Sequence, residues 1–253
     1  MTGDTDAAIA RRALSMLDLT DLADDCRASA VNALVDRSST PHGPVAAVCI
    51  WPQFIDQVRA RIRPPVQIAT VINFPAGGEN AQRAADDARE AIRDGADEID
   101  VVMPYRALLR GDETIVREVL DSVAQECGEA TLKVILETGA LQTPDLIRRA
   151  SEIAISCGAN FIKTSTGKIA VSATPEAARV MLETIRASVR PVGFKAAGGV
   201  RTVADARVYL ELADEIMGSN WATSATFRFG ASGLLDALLA QLDGRTAADQ
   251  VGY

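Results

Sequence analysis

Residues 160–199 read NFIKTSTGKIAVSATPEAARVMLETIRASVRPVGFKAAGG. The segment opens on a short run, Phe161-Ile162-Lys163, passes through Gly167, and enters a helical pattern at Thr174-Pro175. It then returns to a second run, Val192-Gly193-Phe194-Lys195, that ends on Gly198-Gly199. Threonine as cap with proline at the first helical position marks a helix start. A strand, a crossover helix and a second strand form a parallel unit with a right-handed connection. Both strands carry a lysine. Period-two alternation sets Phe161 and Lys163 on one face and Ile162 on the other, with Phe194 opposite Lys195. If Ile162 and Phe194 face the helices, both lysines point into whatever the sheet encloses.

The same unit recurs on either side. Short apolar runs at 46–50, 67–73, 98–103, 131–137, 160–165, 192–196, 215–218 and 226–230 give eight strand candidates. Helical patterns lie between them. One runs through Ala81, Ala84, Ala85, Ala88, Ala91 and Ile92 and stops at Gly95. Another starts at Thr143-Pro144 and stops at Gly158; Thr202 caps a third, and Leu234, Leu235, Leu238, Leu239 and Leu242 stripe the last. Eight such units in 253 residues fit one closed barrel, and no G-x-G-x-x-G follows the first strand to favour an open dinucleotide-binding sheet. The expected fold is therefore α/β, a (β/α)8 TIM barrel. Residues 7–17 and 21–37 are expected as two extra N-terminal helices against the barrel bottom. No break in composition divides residues 1–253, and 243–253 reads as a polar, flexible tail.

Composition narrows the function classes. Hydrophobic residues make up 48% but aromatics only 4%, so small branched side chains carry the core, as buried parallel strands require. A net charge of −8 argues against a nucleic-acid surface, although a local cationic cluster can still bind an anion. The four cysteines form no C-x-x-C, and the only histidine is His42 in a turn-like stretch, so neither a disulfide framework nor a metal site is expected. No apolar run reaches signal-peptide or transmembrane length, and a cytoplasmic protein is expected.

In a barrel the chemistry gathers at the C-terminal strand ends. Lys163 and Lys195, from neighbouring strands, would share one confined space. Burial and like charge lower a lysine pKa, and a neutral lysine is a Schiff-base nucleophile. Residue chemistry leaves open which of the two plays that part. Asp100 shares the inward face of its run with Val102 and reads equally as a proton relay or a structural ion-pair partner. Lys133 and Glu137 share a face and read either as an extension of the internal polar network or, more simply, as an ion pair with each other, and Asp18 reads as a helix cap. Three glycine-rich loops suit an anion: Gly167-Lys168, Gly198-Gly199 before Arg201 and the Thr202-capped helix, and Gly230-Ala231-Ser232-Gly233 before the last helix. A barrel that merely bound a sugar phosphate would need these loops, but not two inward lysines with Asp100.

These residues resemble one family. Phe161 to Gly167 resembles the Schiff-base strand of the deoxyribose-phosphate aldolases, and Gly193-Phe194-Lys195 with Ala197 to Arg201 resembles their second-lysine strand. Asp97 to Val102, Pro104 to Leu108, Leu17 to Thr20, Ala69 to Pro75, Glu137 to Gly139 and Arg228 to Ser232 are similar as well. The resemblance implies a class I, cofactor-free lyase that reversibly cleaves 2-deoxy-D-ribose 5-phosphate to glyceraldehyde 3-phosphate and acetaldehyde. It selects Lys163 as nucleophile, Lys195 as the group perturbing its pKa, and Asp100 as proton relay. It implies a substrate pocket of Asp18, Thr20, Cys49 and Thr166. The phosphate pocket would hold Gly167, Lys168, Gly198, Gly199, Arg201, Gly230 and Ser232. A C-terminal tyrosine assists proton transfer in some members, and this sequence ends in Tyr253. Two positions depart: Ala196 stands where familiar members have proline, and Gly233 replaces a second serine of the phosphate loop, removing a hydroxyl contact. The implied partners are a sugar phosphate and aldehydes, with no nucleic acid or membrane; a homodimer is the assembly entertained.

Overall fold

The alternation of short apolar runs with capped helices produces eight parallel strands that close on one another. In the computed structural model, which describes residues 4–244, these are β1 Leu17–Asp21, β2 Ala47–Ile50, β3 Gln67–Ile72, β4 Glu98–Val102, β5 Thr131–Ile135, β6 Phe161–Lys163, β7 Gly193–Ala197 and β8 Phe227–Ala231. They pair in chain order, and β8 closes onto β1. The helix starts follow the expected chemistry. The Thr143 hydroxyl accepts from the amide of Leu146, and the Thr174 hydroxyl accepts from that of Ala177. Thr202 and Asp205 form a reciprocal capping box on helix Val203–Met217.

Eight strands were expected, but not these eight. Residues 215–218 are the end of helix Val203–Met217, whose C-cap is Gly218. An apolar pair ahead of a glycine reads alike as a strand end or a helix stop. The missing strand is Leu17–Asp21, which the expected helices straddled. Its alternation is inverted, with Leu17 and Leu19 facing the helices while Asp18 points into the barrel, so it does not resemble a strand that buries its apolar face. Among the described residues only helix Asp6–Ser15 precedes the barrel; helix Ala28–Asp36 connects β1 to β2. The first helix packs beside helices Leu234–Leu242 and Val203–Met217 and also lies against the barrel bottom, as expected. That end holds a cavity of about 1100 Å³ whose lining includes Ala8, Arg11 and Arg12 of this helix together with Phe161, Trp221 and Arg228.

Register places the chemistry. Lys163 on β6 is the partner of Lys195 on β7, and Lys195 is the partner of Arg228 on β8. Asp100 on β4 is the partner of Lys133 on β5. Register partners on parallel strands point the same way, so three cations stand side by side inside the barrel. A barrel of this type usually packs layers of Val, Ile and Leu here. This one fills much of its interior with Asp18, Glu98, Asp100, Lys133 and Lys195, all buried. The tail begins with Asp243, which caps the last helix and lies 2.7 Å from Nε2 of His42, so residues 243 and 244 belong to the folded body.

Candidate active site

Three carboxylates and four cationic side chains interlock in the barrel interior. Asp100 takes Lys133 on Oδ1 at 2.8 Å, and both Lys163 and Lys195 on Oδ2 at 2.8 Å. Asp18 takes Lys195 on Oδ2 at 2.5 Å and Arg228 on Oδ1 at 2.6 Å. Glu98 takes Lys133 at 2.5 Å and the Arg228 guanidinium at 2.8 Å. Buried charges are costly unless each is paired and hydrogen-bonded. Among the described residues no buried side-chain nitrogen or oxygen lacks a partner.

The lysines are not equivalent. Lys195 and Lys133 are fully enclosed, whereas Lys163, at the C-terminal end of β6, is 3% exposed. Among the described residues Lys195 contacts two carboxylates and Lys163 one. Burial works against the charge on Lys195, but Asp100 and Asp18 outweigh it and hold the ammonium above the ordinary lysine range. Lys133 is likewise raised, burial being overcome by Asp100 and Glu98. For Lys163 burial wins: it lowers the amine below the usual range, Asp100 pulls it back in part, and the charge of Lys195 adds to the lowering. Burial would raise Asp100, but Lys133, Lys163 and Lys195 hold its carboxyl well below the usual carboxylate range. Asp18 is lowered in the same way, by Lys195, Arg228 and Lys133 against burial.

Several sequence expectations change here. Asp18 caps no helix; it is a buried anchor for Lys195 and Arg228. Lys133 does not pair with Glu137. The strand ends at Ile135, Glu137 adopts φ +58°, and its carboxylate turns to Thr166, accepting from the hydroxyl at 2.6 Å and the amide at 3.2 Å. Thr20 is the register partner of Cys49, and its hydroxyl donates to the Asp18 carbonyl at 2.8 Å. Cys49 is buried near both lysines, and burial pushes its thiol up.

The glycine loops do converge on one rim. The Gly198 amide lies 3.5 Å from the Gly230 carbonyl, and a Cβ on Gly167 would stand 4.0 Å from the Gly198 Cα. Gly198 has φ +83°, and a Cβ there would meet Ser172 at 2.6 Å. Gly230 has a further reason to be glycine, because a Cβ would lie 3.0 Å from the Lys195 Cε. The helix after Arg201 is not an open anion site. The Asp205 carboxylate accepts from the amides of Arg201 and Thr202 at 2.9 Å each, so the helix caps itself. Helix Leu234–Leu242 is different: no side chain caps it, and Ser232 and Gly233 are exposed at its start. Lys168 reaches across the rim to Asp24 at 2.6 Å and lies 6.0 Å from the centre of the Trp51 ring. Tyr253 lies outside the described residues.

Sequence reasoning passed over Arg228 and Glu98. The signal was present: Glu98 is two residues before Asp100 on one strand, and Arg228 precedes the glycine of the last strand. No group of three His, Cys, Asp or Glu side chains among the described residues is arranged to hold a metal ion.

A closed parallel barrel enclosing paired lysines and carboxylates, with one lysine at the C-terminal rim, describes a barrel enzyme equipped for amine chemistry. The model of the DeoC/LacD family aldolases matches residues 12–239, and the chain belongs to that family. A deoxyribose-phosphate aldolase of Agrobacterium fabrum (strain C58) is 53% identical over 234 residues, covering 91% of this chain and 90% of the relative. A solved structure from Coccidioides immitis is 26% identical with a TM-score of 0.81, covering 92% of this chain and 86% of that one. The tetrameric deoxyribose phosphate aldolase of Aeropyrum pernix is 24% identical with a TM-score of 0.74, covering 94% and 92%, a likeness that speaks for the fold alone.

Proposed function

We propose that this chain is a lyase that reversibly cleaves 2-deoxy-D-ribose 5-phosphate to D-glyceraldehyde 3-phosphate and acetaldehyde through a Schiff base on Lys163. The observation that carries the reading is the asymmetry of the two lysines around Asp100. Lys163 is the one at the rim and the one whose amine is lowered, while Lys195 stays charged between two carboxylates. A neutral amine attacks the aldehyde carbon and water leaves, giving an iminium. Its positive charge draws the electron pair of the bond between the second and third carbons as the 3-hydroxyl loses its proton, and glyceraldehyde 3-phosphate departs. The remaining enamine takes a proton at its terminal carbon, and water releases acetaldehyde.

Asp100 is ionised and touches Lys163 and Lys195, the arrangement needed to move a proton between them and a bound water. Asp18, Thr20, Cys49 and Thr166 would line the sugar. Gly167, Gly198, Gly199, Gly230 and Ser232 would surround the phosphate, with the uncapped start of helix Leu234–Leu242 supplying amides and dipole. Lys168 and Arg201 would add charge. The Lys168–Asp24 pair is half exposed, and such pairs contribute about 0–1 kcal/mol, so Lys168 is free to exchange Asp24 for a phosphate. Tyr253 would assist the proton transfer at the enamine carbon. Residues 1–253 act as one domain in this reading, in a cytoplasmic protein that assembles as a homodimer. Among the described residues no helix is long and apolar enough to cross a membrane.

Aldehyde release from deoxyribose 5-phosphate, measured with a chelator present, tests the function. Release that persists supports the reading; no release, or release abolished by the chelator, overturns it.

A further inference from the structure

Lys163 sits in an interior whose charges can be named strand by strand. β1 contributes Asp18, β2 Cys49, β4 Glu98 and Asp100, β5 Lys133, β7 Lys195 and β8 Arg228, while β3 turns only Ala69 and Val71 toward that end of the barrel. Glu137, after β5, is directed to Thr166. The ion-paired cluster therefore holds Lys133, Lys163, Lys195 and Arg228 against Asp18, Glu98 and Asp100. With Lys163 protonated the cluster carries one excess positive charge in a buried space. With Lys163 neutral it balances.

Arg228 supplies the cation that tips this balance, yet it is placed away from the rim. It lines the cavity at the N-terminal end, its guanidinium lies 5.6 Å from the centre of the Phe161 ring, and its Nε donates to the Ser224 carbonyl. Its fork holds two carboxylates at once, Asp18 at 2.6 Å and Glu98 at 2.8 Å. Asp18 is thereby fixed with its other oxygen on Lys195, and Glu98 with its other contact on Lys133. A planar guanidinium suits this two-carboxylate geometry.

We infer that Arg228 is a positioning residue of the aldol site: acting through Asp18 and Lys195, it supplies the fourth cation that keeps the proton off Lys163. The inference rests on Lys163 being the Schiff-base nucleophile. Its consequence is a pair of opposite effects. Arg228→Met removes the excess cation, so a protonated Lys163 then balances the cluster and the amine holds its proton to higher pH. Glu98→Gln removes an anion, so the amine gives up its proton at lower pH. A residue that merely braced the barrel would lower the rate without moving the pH limb in a charge-dependent direction.

The test is the rate of aldehyde release from deoxyribose 5-phosphate as a function of pH. It is run on the parent protein, Arg228→Met, Arg228→Lys and Glu98→Gln, with folding checked by circular dichroism and the imine trapped by borohydride at each pH. The acid limb should rise by about one pH unit in Arg228→Met and fall by a similar amount in Glu98→Gln. Arg228→Lys, which keeps the charge but not the fork, should hold the parent limb. If Arg228→Met does not fold, the fall in Glu98→Gln and the unmoved limb of Arg228→Lys still carry the inference. Limbs that stay in place, or that move together in Arg228→Met and Glu98→Gln, overturn it. An imine on Lys163 with unmoved limbs overturns this inference alone; no imine on Lys163 in the parent protein overturns the Schiff-base reading and this inference with it.

Discussion

Lys163 and Lys195 are register partners on adjacent strands, and their amines meet the same oxygen, Asp100 Oδ2, at 2.8 Å each. The two amines that share this oxygen differ in their remaining partners. Lys195 has Asp18 as a second anion and keeps its proton, and the cost of a further buried charge falls on Lys163.

Removing Lys195 should therefore change the pH profile. In Lys195→Leu, Asp100 loses one cation and attracts the proton of Lys163 more strongly, so the Lys163 pKa rises. Attack needs the neutral amine, whose fraction grows as pH climbs through that pKa, so the acid limb moves to higher pH. Displacing the limb by one pH unit corresponds to about 1.4 kcal/mol. Leaving Asp18 with one partner fewer should also cost about 3–5 kcal/mol of stability. A pH–rate profile together with a thermal melt checks both; an unshifted limb with a lower rate at every pH would make Lys195 a purely geometric group.

Asp100→Asn should move the limb the other way. Without the carboxylate Lys163 loses its only ion-pair partner among the described residues, its pKa falls further, and the amine is neutral at lower pH. The proposed proton relay would be lost as well, so the plateau should drop by about 100- to 10,000-fold. Borohydride trapping should still label the protein. Turnover within a few fold of the parent would remove Asp100 from the chemistry.

The proposed phosphate rim predicts a gain. Nothing stands within 4 Å of a Cβ at Gly233, and its φ of −93° suits any residue. Gly233→Ser should place a hydroxyl at the uncapped helix start, where a charge-assisted hydrogen bond contributes about 1.5–3 kcal/mol. KM for deoxyribose 5-phosphate should fall by about tenfold or more, and KM for unphosphorylated deoxyribose should not change. Equal effects on the two sugars would place the phosphate elsewhere.

Gly198→Ala should do the opposite. The positive φ and the approach of Ser172 strain any side chain there, at about 1–3 kcal/mol. The loop would shift against Gly230 and Gly167, so KM for the phosphorylated sugar should rise while the extent of imine trapping at saturating substrate is kept. A thermal melt and KM matching the parent would show that the loop has room to spare.

Much of this was legible in the sequence because each signal was local. Period-two alternation pointed Lys163, Lys195 and Asp100 inward, and Thr-Pro pairs marked helices at Thr143 and Thr174. What escaped depended on closure. Leu17–Asp21 is recognisable as a strand only once β8 and β2 lie on either side of it, and its inward Asp18 imitates a helix cap. Arg228 and Glu98 obey the same alternation as Asp100, but they gain meaning only through contacts with residues 210 and 130 positions away. Lys133 and Glu137 fail as a pair because the left-handed turn at Glu137 breaks the alternation that put them on one face. The capping box of Thr202 and Asp205 was readable from its spacing, and it argues against that helix as a phosphate seat.

Whether Lys163 or Lys195 forms the proposed covalent intermediate is decided by reductive trapping. The protein is incubated with deoxyribose 5-phosphate or acetaldehyde, reduced with borohydride, digested and mapped by mass spectrometry. A stable adduct is expected on the peptide containing Lys163, present with either compound and absent from Lys163→Leu. An adduct on Lys195, or no adduct in protein that is releasing aldehyde, would contradict it.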